Sequence, residues 1–247
     1  VRAQPLPGTV IDLASGQRLD EAAFVKRAAN APRLLLGERH DQATDHAAQR
    51  WLLQALQQQR THGALVLEMI ASERQPRLDR VQRWLAKGNR ADGTRLQELL
   101  DWDARWPWAA YGGLVQDATA AGIPLFGGNL SRAEVNALLA SNASVRFPMP
   151  TARQRLSVVV LAQHAGAAPM LEGMLAVQQA RDIRMAQVLA AAPAPALLVA
   201  GRWHVLQGTG VPGYLPPDAP ALVIALASPG ETVDAADADL LWVLGDE

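Results

Sequence analysis

Hydrophobic positions along this chain follow two rhythms in alternation: short unbroken apolar runs, and stripes at helical spacing. The runs Leu34-Leu35-Leu36, Ala64-Leu65-Val66-Leu67, Ile123-Pro124-Leu125-Phe126 and Ala196-Leu197-Leu198-Val199-Ala200 predict strands buried on both faces. Between them, Ala48, Trp51, Leu52, Ala55 and Leu56 predict a helix over 44–59, and Leu78, Val81 and Leu85 predict another over 75–86. Residues 9–19 read as a small hairpin around Ser15-Gly16, followed by a helix to about Asn30. A helix over 109–121 leads into the third strand, and Ser131-Arg132-Ala133-Glu134 has the capping-box form that opens the next helix. Residues 151–165 and 169–191 read as two helices joined by Gly166-Ala167-Ala168-Pro169, with closing strands at Leu222–Ala227 and Leu240–Leu244. The alternation predicts an α/β fold, a mainly parallel sheet flanked by helices, in one domain spanning 1–247. An additional helical lobe, about residues 131–191, is inserted between strands.

In such a sheet the carboxyl ends of the strands share an edge, so residues just past each run converge. The four runs lead to Glu38 and His40, to Glu68, to Asn129, and through Gly201 to His204. Glu38 and His40, two apart, project to the same side if the strand continues, and His46 falls in the first turn of the following helix. Carboxylates from Glu38 and Glu68 with imidazoles from His40, His46 and His204 supply a first shell for a divalent cation, or an acid–base set around a small substrate. Asn129 is placed to orient either. Each residue taken singly also has a plain structural reading, as a cap or a partner for backbone groups.

With 23 basic and 24 acidic residues the net charge is −1, which removes the electrostatic reason to expect nucleic acid or an anionic membrane as partner. The absence of cysteine excludes disulfides, thiolate-ligated zinc and iron–sulfur clusters for these residues. No apolar run approaches the ~20 residues needed to span a bilayer, and Val1-Arg2-Ala3-Gln4-Pro5 lacks the form of a signal peptide. Gly208-Thr209-Gly210-Val211-Pro212-Gly213 is glycine-rich, but no helix pattern follows it and the Lys-Ser/Thr of a phosphate loop is missing.

Other residues stand apart from the strand ends. Trp102, Trp106, Trp108 and Tyr111 lie close together in sequence, as a packed cap or a ligand wall. His62, before Gly63 in a helix-to-strand turn, is expected on the surface. His164, at the end of an apolar helix, is a histidine placed for ligand contact or simply for the helix dipole. Met170, Met174 and Met185 read as core filler, and Asp182 beside Arg181 reads as a polar group turned into a crowded interior and paired with Arg202.

Six short motifs, in order across about residues 33–215, resemble the ChaN-type haem-binding lipoprotein family. They are Gly37-Glu38-Arg39-His40 with His46; Leu67-Glu68-Met69 with Gln75 and Leu78-Asp79; Trp102 ahead of Tyr111; Gly128-Asn129-Leu130-Ser131-Arg132; Gln179-Ala180-Arg181-Asp182 with Met185-Ala186; and Ala200-Gly201-Arg202-Trp203-His204 with Gly208-Thr209-Gly210-Val211-Pro212. The resemblance implies a bacterial envelope protein of iron or haem uptake or storage, anchored by a lipidated cysteine upstream of Val1 or lying on the periplasmic side of a membrane. It also implies a homodimer holding ferric haem, with tyrosine ligation and a histidine contact across the dimer. Only Tyr111 and Tyr214 are available as phenolates, with His164 as the alternative ligand. The polar set Glu38, His40, Glu68 and His204, supported by Asn129, Arg132, Asp182 and Arg202, is also what the family shares with erythromycin-esterase-like and metal-dependent peptidase-like relatives.

Haem binding is therefore the expected function. A metal-dependent hydrolase using Glu38, His40, Glu68 and His204 is the alternative from another class. A partner-binding module, with an exposed patch at the tryptophan segment, is the third.

Overall fold

The sheet is built from eight strands, and the alternation of its residues sorts two cores. Six strands run parallel: β3 (Arg33–Glu38), β4 (Ala64–Ala71), β5 (Leu125–Asn129), β6 (Ala196–Gly201), β7 (Leu222–Ala227) and β8 (Leu240–Val243). The hairpin β1 (Thr9–Asp12) and β2 (Arg18–Leu19) adds antiparallel to β8, giving the order β2-β1-β8-β7-β3-β6-β4-β5. The computed structural model describes residues 5–141, 145–164 and 166–245. The start of the chain at Val1 through Gln4, and residue 165 at the end of the expected 151–165 helix, lie outside the described residues.

On one face Leu34, Leu36, Leu65, Leu67, Leu197 and Val199 meet the helices α1 (Glu21–Asn30), α2 (Ala43–Gln57), α3 (Gln75–Ala86), α4 (Gly93–Leu100) and α5 (Trp108–Ala120). On the other, Leu35, Val66, Leu198, Ala200 and Val223 meet the carboxyl half of α8 (Leu171–Ala191) through Met185, Ala186 and Leu189. Strands whose two faces are both covered must be apolar throughout, which is why the runs lack the alternation of a half-exposed strand.

The expected lobe takes the form of α6 (Arg132–Ala140), α7 (Ala152–Gln163) and α8, which lie between β5 and β6 in the chain. α6 starts on the capping box legible in the sequence: the Ser131 hydroxyl accepts from Glu134 N, and the Glu134 carboxylate accepts from Ser131 N. The amino half of α8 leaves the sheet and packs with α7 in a third apolar cluster of Leu156, Val160, Leu175 and Ala176. α8 thus joins the sheet to a wall standing above the carboxyl ends of β3, β4 and β6.

Two elements differ from expectation in a way that matters. β4 runs on through Glu68 to Ala71, and β5 includes Asn129, so both polar residues lie inside strands rather than past them. The β4–β5 register shifts between Leu67 and Ala71, an irregularity that the apolar run does not signal. α4 was not expected; Asp92 caps it by accepting from Arg95 N, and Asp101 closes it in the left-handed conformation at φ 52°. His62, expected exposed, is buried at 5% exposure.

β5 is an edge strand, and two side-chain amides from α3 take the place of a neighbour. Gln82 Oε1 accepts from Leu125 N at 2.7 Å, Gln75 Oε1 accepts from Gly127 N at 3.0 Å, and Gln75 Nε2 donates to Leu125 O at 3.0 Å. Replacing both Gln75 and Gln82 by Ala is expected to cost about 1–3 kcal/mol per backbone group left without a partner. It should also produce concentration-dependent self-association in size-exclusion chromatography, since the bare edge then offers free ladder groups.

Candidate functional site

The carboxyl edge of β3, β6 and β4 carries two buried carboxylates with Gly201 between them. Glu38 closes β3 and pairs in register with Gly201; Glu68 of β4 accepts from Gly201 N at 2.8 Å. Both carboxylates are 1% exposed, and a buried charge persists only where hydrogen bonds and opposite charges replace water.

Glu38 meets that requirement through three elements. Its Oε1 accepts from the Tyr111 hydroxyl on α5 at 2.7 Å and lies 2.7 Å from His40 Nδ1. Its Oε2 accepts from Gln49 Nε2 on α2 and lies 3.5 Å from His46 Nε2. Tyr111 packs edge-on against both His46 and Trp106, and Trp106 packs edge-on against His40. Burial opposes the charged form of His40, but the Glu38 hydrogen bond and the charges of Glu68 and Glu38 outweigh it and raise its pKa. The His40 side chain is 45% exposed, so the carboxylate-oriented ring faces open space. Gly201 is what admits it, since a Cβ there would stand 2.8 Å from His40 Nε2.

The second cluster is closed. His204, carried by the short helix α9 (Arg202–Val205), sits between Asp182 Oδ1, 2.5 Å from its Nδ1, and Glu68 Oε1, 3.4 Å from its Nε2. Burial works against the imidazolium, yet the two carboxylates push the His204 pKa up to about 10. Glu68 is correspondingly held well below the usual carboxylate range: burial raises its pKa, and the larger combined pull of His204, His40 and Arg181 lowers it. Gln178 approaches the same His204 nitrogen at 3.0 Å.

The supporting residues divide. Asp182 is at the centre, but its partner is His204 and not Arg202, whose guanidinium pairs with Glu231 at 3.3 Å. The reason is register: Asp182 projects from α8 toward the β6 end, while Arg202 turns toward Leu226 O beside β7. Asn129 serves the backbone, donating to Glu68 O at 2.7 Å and accepting from Leu130 N at 2.8 Å, so it fixes the strand that carries Glu68. Arg132 is exposed on the first turn of α6 and does not line the cavity.

Above these groups opens a cavity of about 710 Å³. Glu38, His40, Glu68 and His204 form its polar floor, and Leu156, Val160, Met174, Val177 and Trp203 form an apolar wall. His164, the cap residue at the carboxyl end of α7, lines the same cavity and is itself exposed. Neither tyrosine lines it. Tyr111 is buried, and burial together with the Glu38 charge raises its pKa far above the ordinary phenol value. Tyr214 lies half-buried in a short 3-10 turn, with Gln179 Nε2 donating to its hydroxyl at 3.1 Å, and burial pushes its pKa up to about 12. The tryptophan segment forms a packed cap: Trp102 and Trp108 pack edge to face, and Trp106 reaches the cavity.

Gln49, Gln178, Arg181 and the Tyr111–Glu38 bond were not among the expected site features, whereas Trp106 belongs to the segment read as a packed cap or a ligand wall. Gln49 left a trace, a polar residue on the inward stripe of α2 between Asp45 and Leu52. Among the described residues no group of three or more His, Cys, Asp or Glu is arranged to hold a metal ion. The oxygens of Glu38 and Glu68 face the protein's own donors, as does Asp182 Oδ1, while Asp182 Oδ2 is buried without a hydrogen-bond partner among the described residues.

The profile of the family described as "Haem-binding uptake, Tiki superfamily, ChaN" matches residues 24–215. The chain belongs to the ChaN family. A solved ChaN from Campylobacter jejuni, described with cofacial haem binding, superposes with a TM-score of 0.84 at 24% identity, covering 95% of this chain and 96% of that one. The type III effector HopBA1 follows at a TM-score of 0.51 and 15% identity, covering 91% and 93% of the two chains. A mutant erythromycin esterase, EreC, in its open conformation gives 0.52 at 17% identity, covering 92% of this chain and 78% of its own. These likenesses are of fold. No curated protein matches the sequence.

The charged sandwich at His204 gives a pH-dependent stability. Its folded pKa near 10 stands above the ordinary 6.5, so its contribution is complete below about pH 6.5 and is lost as pH rises toward 10. His204→Ala is expected to cost about 3–5 kcal/mol at neutral pH by leaving two carboxylates without their cation. Denaturant melts across pH 6 to 10 should show a declining stability in the parent chain and a shallower decline in the variant.

Proposed function

We propose that this ChaN-family chain binds ferric haem at the rim of the cavity, with His164 as the protein ligand, in the service of haem or iron uptake or storage. The observation that carries the site is the surface around His164. Among the large apolar side chains that are exposed, Val158, Leu161 and Met170 lie on α7 or the turn into α8, the same stretch of chain that carries His164. Among the described residues no hydrogen bond engages the His164 ring. An accessible imidazole beside exposed apolar side chains fits a porphyrin in chemistry: a nitrogen donor for iron and nonpolar contact for the macrocycle. Bound haem, held through the His164 imidazole, would supply an iron centre capable of redox and ligand exchange.

The tyrosines support this choice by elimination. The Tyr111 hydroxyl is committed to Glu38, and the Tyr214 phenol is kept protonated by burial, so ligation through either requires breaking a contact that His164 does not have. Dimerisation through the same apolar surface, a lipid anchor upstream of Val1 and residence in the bacterial cell envelope belong to the proposal as parts of an uptake role.

Titration of ferric haem into the purified protein should give a saturable, shifted Soret band and a rise in apparent size to that of a dimer. His164→Ala should abolish the shift, while Tyr111→Phe and Tyr214→Phe retain it. An unchanged spectrum in His164→Ala sinks the ligand assignment, and an unchanged size at saturating haem sinks the dimer.

A second reading, hydrolysis at the cavity floor, is favoured by one observation: His40 is oriented by buried Glu38 and presented to the cavity, the arrangement of a general base. Hydrolysis of p-nitrophenyl butyrate, with elemental analysis and a chelator arm for a divalent metal, tests it. His40→Ala should then lower the rate by about 10²–10⁴-fold while leaving the haem titration intact; parent activity no greater than buffer rules the second reading out for this ester.

A further inference from the structure

At the opposite end of the sheet, where α2 turns into β4, several buried nitrogens have no partner. They are Gln57 Nε2, Arg60 Nε and Nη2, and both ring nitrogens of His62, none with a hydrogen-bond partner among the described residues. The turn of α2 continues past its last residue, with Arg60 N donating to Leu56 O at 2.9 Å, so Gln57 and Arg60 share one face of that turn. That face extends the buried stripe of Leu53 and Leu56. His62, 5% exposed, follows two residues on and lies within reach of the Arg60 charge.

The guanidinium is already fixed in place. Arg60 Nη1 donates to Ala29 O at 2.7 Å and Ala31 O at 2.5 Å, the last carbonyls of α1 and its connection to β3. This leaves the Nε and Nη2 edge of the guanidinium free, the side on which arginine grips a carboxylate or phosphate with two parallel hydrogen bonds. No carboxylate of the described residues pairs with it.

Buried donors without an acceptor are costly, and native interiors rarely keep a cluster of them. Gln57 Nε2 and the two guanidinium nitrogens are donors, and the His62 ring supplies one N–H while neutral and two once protonated, so what completes the cluster is an acceptor. A single water accepts too few bonds, whereas an oxyanion offers several lone pairs and the opposite charge. We propose that Gln57, Arg60 and His62 form a binding site for a small oxyanion, a carboxylate or phosphate group, gripped side-on by Arg60. Burial and the Arg60 charge hold the His62 pKa down to about 4; a bound anion offsets that charge and returns the ring toward protonation.

Isothermal titration of the full chain with inorganic phosphate and with sodium acetate, against potassium chloride as the ionic-strength control, tests the site. The expected result is one saturable site per chain for phosphate or acetate, the tighter of the two naming the group, and none for chloride. Affinity should fall at least tenfold in Arg60→Lys, which keeps the charge but not the fork, and in Gln57→Ala, which leaves the Arg60 carbonyl contacts untouched. The ring resonances of His62 should titrate at higher pH when the anion is present. Absence of saturable heat with both oxyanions means that water fills the cluster and overturns the proposal. So does wild-type affinity in both variants, with folding verified by circular dichroism, because the ions then bind elsewhere.

Discussion

The need to keep two carboxylates charged in the interior organises this molecule. Glu38 and Glu68 end or interrupt strands that flank β6, and each draws its partners from several elements: the neighbouring His40 and α2 together with the distant α5 for one, α8 and α9 for the other. Removing water from a carboxylate is tolerable only with such donors in place, so the helices are not free to slide over the sheet at this edge. Gly201 stands between the two systems, donating its N–H to one and leaving room for the ring that serves the other.

Asymmetry between the two systems decides which part of the floor is open to chemistry. His204 has a carboxylate on each side and is shut away as a fixed cation, while His40 has one carboxylate behind it and open space in front. Similar residue types at equivalent strand ends therefore do different work: the first is structural in character, the second is accessible.

Much of the framework was legible in the sequence because it rests on local signals. Apolar runs located β3, β6 and β7 nearly to the residue, Ser131 and Glu134 announced the start of α6, and the strand-end rule gathered Glu38, Glu68 and His204 at one edge. What was not legible depends on distance in the chain. Nothing local says that Asp182 meets His204 instead of Arg202, that Tyr111 bonds a carboxylate 73 residues away, or that His62 is buried. The placement of His164 over the same cavity as the strand ends was also hidden. It follows from the amino half of α8 standing clear of the sheet, a matter of helix length and third-cluster packing rather than of any motif.

The two amides that cover β5 have a wider consequence. With Gln75 and Gln82 occupying one border of the sheet, and a strand of only two residues, β2, at the other, neither border offers a long run of free ladder groups. Growth by strand addition, the commonest route by which sheets fuse between molecules, is closed at both sides. Contact with any other molecule is left to side chains, and the exposed Val158, Leu161 and Met170 on α7 and the turn into α8 are nonpolar surface open to it.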